Sequence, residues 1–145
     1  MAPRKDPFRN FRFRVEIDGI QQAAFSEVTG IESTVEPIDY RVGNDPTHPR
    51  KLPGMTKYSP ITLKWGITDS TELYDWHKEI INGVIKRKSL AICVVGEDGK
   101  ENGPRWEVQE AWPSKYHGAD LNATGNAISI ATLELTNEGV ELKKS

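Results

Sequence analysis

Alternation of apolar and polar side chains dominates this chain, and a single helical stripe interrupts it. Phe11, Phe13, Val15 and Ile17 alternate with Arg12, Arg14, Glu16 and Asp18. A period of two puts four apolar side chains on one face of a strand and four charges on the other. Asp18-Gly19 is a turn signal. A second strand is predicted over about 22–29, ending at Thr29-Gly30. A third begins at Ile31, with Ile31, Ser33 and Val35 on one parity. Beyond Pro37 the apolar positions Ile38, Tyr40 and Val42 take the other parity. A parity change at a proline predicts a bulge or a bend, where the strand leaves one sheet and continues elsewhere.

Residues 43–60 carry four prolines and two glycines among mixed charges. That composition forbids a helix and predicts a long extended loop. Leu52, Met55 and Tyr58 stand among its charges, so the loop is read as one that docks on something. Ile61, Leu63, Trp65 and Ile67 then mark a strand. A helix is predicted over about 70–83. Asp69 is placed at its N-cap, with Glu72 completing a capping box, and Asn82-Gly83 ends it. Leu73, Trp76, Ile80 and Val84, flanked by His77 and Ile81, form its apolar stripe.

The unbroken run Leu90–Val95 predicts a strand covered on both faces. Residues 97–103 form a hairpin turn. Trp106, Val108, Glu110 and Trp112 share a parity in the next strand, which Pro113 is expected to end. Residues 114–126 read as a second polar loop. A final long strand spans 127–135, with a parity switch between Ile130 and Leu133; a bulge or burial on both faces explains it. Val140 and Leu142 form a short closing strand. The expected architecture is mainly β: a small barrel or sandwich of two packed antiparallel sheets with one flanking helix. The whole chain, 1–145, reads as one domain, with 1–10 as an N-terminal arm.

A chain of 145 residues is long enough to bury a core. Its 19 basic and 21 acidic side chains leave a net charge of −2, which gives no reason to expect specific nucleic-acid binding. Cys93 is the single cysteine and lies in an apolar run, so it reads as a small buried hydrophobe. The first residues carry charge without an apolar stretch behind them, and no segment is long and apolar enough to span a bilayer as a helix. Synthesis and folding in the cytoplasm are expected.

Catalytic patterns do not emerge. His48, His77 and His117 have no metal-motif spacing, and there is no nucleophile elbow, phosphate loop or dinucleotide fingerprint. No metal, cofactor or catalytic residue is assigned. Glu36, Asp39 and Asp45 are the carboxylates from which an assembled hydrolytic pair would be drawn. Trp65, Trp76, Trp106 and Trp112 occupy apolar-parity positions and read as core.

Several segments together resemble the tube proteins of contractile tails, both phage tail tubes and the inner tubes of extracellular contractile injection systems. The opening strand is followed by Phe25-Ser26-Glu27-Val28-Thr29-Gly30-Ile31. Arg50-Lys51-Leu52-Pro53-Gly54 leads through Lys57-Tyr58 into Ile61-Thr62-Leu63-Lys64-Trp65-Gly66. Leu73-Tyr74-Asp75-Trp76, Ala111–Tyr116 and the stretch from Asp120 through Glu134 complete the likeness, which covers about residues 8–142.

The resemblance implies hexameric rings whose sheets join into one barrel around a lumen. The rings stack into a rigid tube, which a contracting sheath drives through a target envelope to deliver protein or DNA. It implies as partners further copies of the chain, a sheath protein, baseplate or spike and terminal cap proteins, and lumen cargo, in a tail or a released particle. It places the extended loop against the neighbouring subunit and ring, which assigns Asn44, Asp45, Arg50, Lys51, Leu52, Pro53, Gly54 and Tyr58 to subunit and ring contacts. Two rival readings stand beside it. One is a monomeric β-barrel binding a small ligand under a 43–60 lid; the other is a small hydrolase.

Overall fold

The computed structural model describes residues 13–20, 25–40, 43, 50–67, 70–96, 103–125 and 129–143. In chain order they form β1 (Phe13–Ile17), β2 (Glu27–Thr29), β3 (Ser33–Tyr40), β4 (Arg50–Tyr58), β5 (Ile61–Gly66), α1 (Glu72–Ile81), β6 (Lys88–Val94), β7 (Arg105–His117), β8 (Ile130–Thr136) and β9 (Gly139–Lys143). The expected arm at 1–10 and the turn residues 97–102 lie outside the described residues. The helix is not capped at Asp69 as expected: its N-cap is Thr71, without a side-chain cap bond, and Glu72 is its first residue rather than the third position of a capping box.

Among the described residues, pairing is antiparallel and builds one seven-stranded sheet and one two-stranded ribbon, β3–β4. The large sheet turns a corner at β7. The first half of β7 lies between β6 and β9, and its second half pairs with β8. Thr136 stands opposite Trp112 and Gly139 opposite Gln109, so β8 and β9 run along β7 as one course broken at Asn137 and Glu138. One layer is therefore β1-β6-β7-β9 and the other β7-β8-β5-β2. The expected sandwich forms, but among the described residues no closed barrel does: β1 and β2 end the strand order without pairing to each other, and Ile20 bridges Ile17 on the outer edge of β1. A strand that passes between layers at a bend is a common way to make such a corner.

Glu110 makes the bend, with φ of 51°, a left-handed backbone uncommon outside glycine. Arg87 Nη1 sits 3.2 Å from Glu138 and 3.8 Å from Glu110, clamping both strands at the corner. The bend also changes parity. Val108 points inward before it, and Ala111 and Pro113 are buried after it. Trp112 therefore turns out of the core, whereas Trp65 and Trp76 lie within it and Trp106 packs against it. Pro113 does not end the strand as expected. Its missing N–H is accommodated at a register irregularity, and β7 continues to His117 through what the sequence presents as a loop.

The core lies between the layers. Val15, Ile17, Leu90, Ile92 and Val108 face Ile61, Leu63, Trp65, Ala131, Leu133 and Leu135, and α1 adds Leu73 and Trp76. In β8 the apparent parity switch is only its start: Ile130 is exposed, and Ala131, Leu133 and Leu135 alternate regularly inward. The C-terminus of α1 is closed as anticipated. Gly83 takes φ of 86°, its N–H donates to Ile80 O, and Val84 N–H donates to Glu79 O. Trp76 Nε1 donates to the Lys86 carbonyl at 2.7 Å, tying the chain after the helix back onto it. Ile81 and Val84, read as part of the buried stripe, are exposed at this end.

The largest departure from expectation is residues 50–58. They are extended, but they are a strand rather than a loop. β4 pairs with β3 and stands off the body, with nearly every residue of both strands exposed. The irregularity predicted near Pro37 is present, but β3 does not leave for another sheet. Val35 pairs with Thr56 and Pro37 with Pro53, so Gly54 and Met55 together oppose Glu36 as a bulge on β4.

Candidate assembly surfaces

The ribbon has two unlike faces. Ile38 stands opposite Leu52 and Tyr40 opposite Arg50. These share a face with Glu36 and Lys57, whose side chains are ion-paired. Ile38, Tyr40 and Leu52 are 53%, 47% and 49% exposed, so a full row of large apolar groups lies open. The opposite face carries Val35, the Pro37–Pro53 pair and the Asp39–Lys51 pair. Gly54 is required beneath this row. A Cβ there would stand 2.8 Å from Ile38 Cδ1 and 2.7 Å from the Glu36 carbonyl oxygen.

The ribbon's edges are poor templates for further strands. Ser59 N–H donates to Glu32 O at 3.4 Å, which sets the phase of the ladder. Counting by twos along β3, Thr34, Glu36, Ile38 and Tyr40 aim their backbone groups at β4. Pro37 and Pro53 therefore put their ring nitrogens on the outer edges, where no N–H can recruit a strand. The ribbon is built to contact through its face.

Arg50, Lys51, Leu52, Pro53, Gly54 and Tyr58, singled out from the sequence, all lie on β4. Leu52 and Arg50 share one face, Lys51 and Pro53 the other, and half-buried Tyr58 sits at the root beside Ser33. Asn44 and Asp45 lie outside the described residues, as does His48. Glu36 and Asp39 fall on opposite faces of β3, which separates two carboxylates that a hydrolytic pair would need together. His77 Nδ1 donates to the Pro113 carbonyl at 3.2 Å and its ring stacks on Tyr116, so it ties α1 to β7.

A second surface was not legible in the sequence. The outer face of β1-β6-β7-β9 carries a ladder of ion pairs. Glu16 on β1 lies 3.6 Å from Arg105 on β7; Arg105 lies 3.4 Å from Glu107; Glu107 lies 3.0 Å from Lys143 on β9. The ladder crosses β6 because Ala91 and Cys93 there are small. Arg105 Nη1 lies over the buried Cys93, donating to Sγ at 3.3 Å. This covers β6 on its outer side, as the apolar run Leu90–Val95 predicts.

The hydrogen bond from Lys143, with its charge and that of Arg105, holds the Glu107 carboxyl below the ordinary carboxylate range, against an opposing effect of partial burial. Glu107 in turn raises Lys143. A carboxylate depressed in the folded state contributes stability above its unfolded pKa and loses it as pH falls through the folded value. A raised lysine contributes below its unfolded pKa and loses it as pH rises through the folded value. The pairing thus holds across the neutral range and fails at both extremes. Because these groups are solvent-accessible, the effect is small. Glu107→Gln is expected to shrink the fall of Tm between neutral and acid pH, read by thermal melts across that range; an unchanged acid limb would contradict the assignment.

The sandwich thus carries its distinctive features on its outside: a charge-laddered face and a projecting ribbon with open apolar side chains. Residues 9–141 match the family model described as T4-like virus tail tube protein gp19, and the chain belongs to that family. No curated protein matches the sequence.

Among solved structures, a chain of the PVC extracellular contractile injection system sheath–tube complex in the extended state is 28% identical. The match has a TM-score of 0.82 and covers 96% of this chain and 93% of that one. The anti-feeding prophage tube terminating cap is 25% identical, with a TM-score of 0.86, covering 100% and 96%. Hcp1 from Flavobacterium johnsoniae, 15% identical with a TM-score of 0.57 and coverage of 93% and 97%, shares the fold alone. The chain is accordingly a structural tail-tube protein of the contractile injection system kind. Among the described residues, no helix is long and apolar enough to cross a membrane.

Proposed function

We propose that the chain, acting as one tube-protein domain, forms hexameric rings that stack into a rigid hollow inner tube. Contraction of a surrounding sheath drives that tube through a target envelope and delivers cargo from its lumen. The observation that carries this reading is the likeness, at 28% identity over 96% of the chain, to a member of a sheath–tube complex. Similar chains in a tube terminating cap and a baseplate support a sheath, a baseplate or spike, and a cap as partners.

The role is mechanical and needs no catalytic residue or cofactor. Stiffness comes from antiparallel hydrogen bonding carried across subunits. The ribbon supplies the ring contact: Arg50, Lys51, Leu52, Pro53, Gly54 and Tyr58 act there, together with Asn44 and Asp45. Assembly occurs in the cytoplasm, and the finished particle acts outside. Light scattering of the purified chain tests the reading: masses in multiples of six support it, and a single monomer mass at every concentration opposes it.

A further inference from the structure

The ribbon prolongs the β2–β5 pair. Glu27 stands opposite Lys64 and Thr29 opposite Thr62; past the junction, Ser33 stands opposite Tyr58 and Val35 opposite Thr56. Each step forward on one strand is a step back on the other, and no residue is gained or lost before the bulge at Gly54 and Met55. The Ser59 N–H to Glu32 O bond carries the ladder across the gap. The ribbon therefore leaves from the end of the layer where β5 begins. The chain enters α1 from the other end, where β5 stops.

At that second end lies a cleft of about 330 Å³, lined in part by Trp65, Ile67, Leu73, Tyr74 and Tyr116. Trp65 and Leu73 are its buried floor, and Ile67 and Tyr74 stand exposed at its rim. Tyr116 meets Tyr74 at 65° with ring centroids 5.1 Å apart, and lies 6.4 Å from Trp65. The volume is at the bottom of the range for a small-molecule site, and aromatic walls of this kind suit one inserted side chain. The adjoining first turn of α1 is acidic, with Glu72 and Asp75.

Tyr40 stands opposite Arg50 toward the far end of the ribbon, on the face that leaves Ile38 and Leu52 open. An aromatic anchor with a cation beside it is complementary to an aromatic cleft with an acidic turn beside it. The single chain does not bring the two together. From Arg50 to Trp65 the strand course covers on the order of 50 Å, at about 3.3 Å per residue, and Ile38, Tyr40 and Leu52 are all exposed. We propose that the ribbon seats in the cleft of a second copy, with Tyr40 against Ile67 and Tyr74 and with Arg50 beside Glu72 and Asp75. This rests on the tube reading above and adds to it the surface that receives the ribbon. Donor and receiver lie at opposite ends of one chain, so the contact is heterologous and repeats from copy to copy along the stack.

Two measurements test it. Tyr74→Asp is expected to raise the concentration needed for tubes by about tenfold or more, because a carboxylate then meets the apolar row at every contact. Sedimentation reads the polymer, and a circular dichroism melt verifies the fold. Folded Tyr74→Asp that forms tubes like the parent overturns the role of the cleft. The second measurement leaves the cleft intact. The photo-crosslinker p-benzoylphenylalanine replaces Tyr40, and isotope-labelled and unlabelled chains are mixed, assembled and irradiated. Cross-links from one copy to the segment of another that holds Ile67 and Tyr74, read by mass spectrometry, are the expected result. Cross-links only to other surfaces, or none within assembled tubes, overturn the proposal while the tube reading stands. A parent that stays monomeric overturns both, which separates the two failures.

Discussion

Leu52→Asp is expected to abolish tube growth while leaving the monomer folded. Leu52 lies opposite Ile38 on the open face of a ribbon that stands off the body. It is half exposed and belongs to no part of the buried core. Surface substitutions away from special features cost within about 0.5 kcal/mol, so the melting temperature should barely move. In the proposed ring contact the same position would be desolvated. Burying an unpaired carboxylate there costs several kcal/mol, and each ~1.4 kcal/mol is tenfold in the equilibrium. The concentration needed for assembly should therefore rise by about a hundredfold or more. Sedimentation of polymer against soluble protein, beside a thermal melt, measures both halves. Normal tubes from folded Leu52→Asp would falsify the ribbon's role in ring contacts.

Gly30→Ala is expected to damage the fold itself. Gly30 joins β2 on the body to β3 of the ribbon, with φ of 89°. A Cβ at this position would stand 2.0 Å from the Pro60 carbonyl oxygen and 3.1 Å from its carbon. Both are backbone atoms at the root where β4 leads into β5, so no side chain can swing aside. The left-handed backbone alone costs an alanine about 1 kcal/mol or more. Relieving the overlap means parting the two chains that root the ribbon, including the Ser59 N–H to Glu32 O bond beside it. A loss of about 3 kcal/mol or more is expected, seen as a large fall in the urea midpoint. Assembly should fail as well, because the ribbon loses its direction. A folded Gly30→Ala chain with parental stability would mean that this junction tolerates a different path.

The two substitutions also separate what the sequence discloses from what it does not. Strict alternation made β1, β5 and β9 legible, since a period of two needs no tertiary context. The helix was legible from its own local signal, an apolar stripe at helical spacing ended by Asn82-Gly83. β4 was not. Pro53 and Gly54 argue against a strand when propensity alone is weighed, but a two-stranded ribbon has open edges where a proline loses nothing, and Gly54 is demanded by Ile38 across it.

Pro113 misled in the same way, because its place at an irregular, unbonded position depends on β8. The bend at Glu110 was hidden because a left-handed glutamate leaves no mark in composition. It carried Trp112 out of the core against its parity. Of the candidate site, the residues from Arg50 to Tyr58 were visible as a motif. Their division between two faces needed the register. The ladder of Glu16, Arg105, Glu107 and Lys143 was invisible, since its members come from three strands and only pairing brings them together.

The most direct test of the central claim is electron microscopy of the purified chain in negative stain. Six-fold rings with an open centre, alone or stacked into tubes of constant width, are the predicted result. Discrete particles of monomer size at every concentration, with no ring in any view, would contradict it.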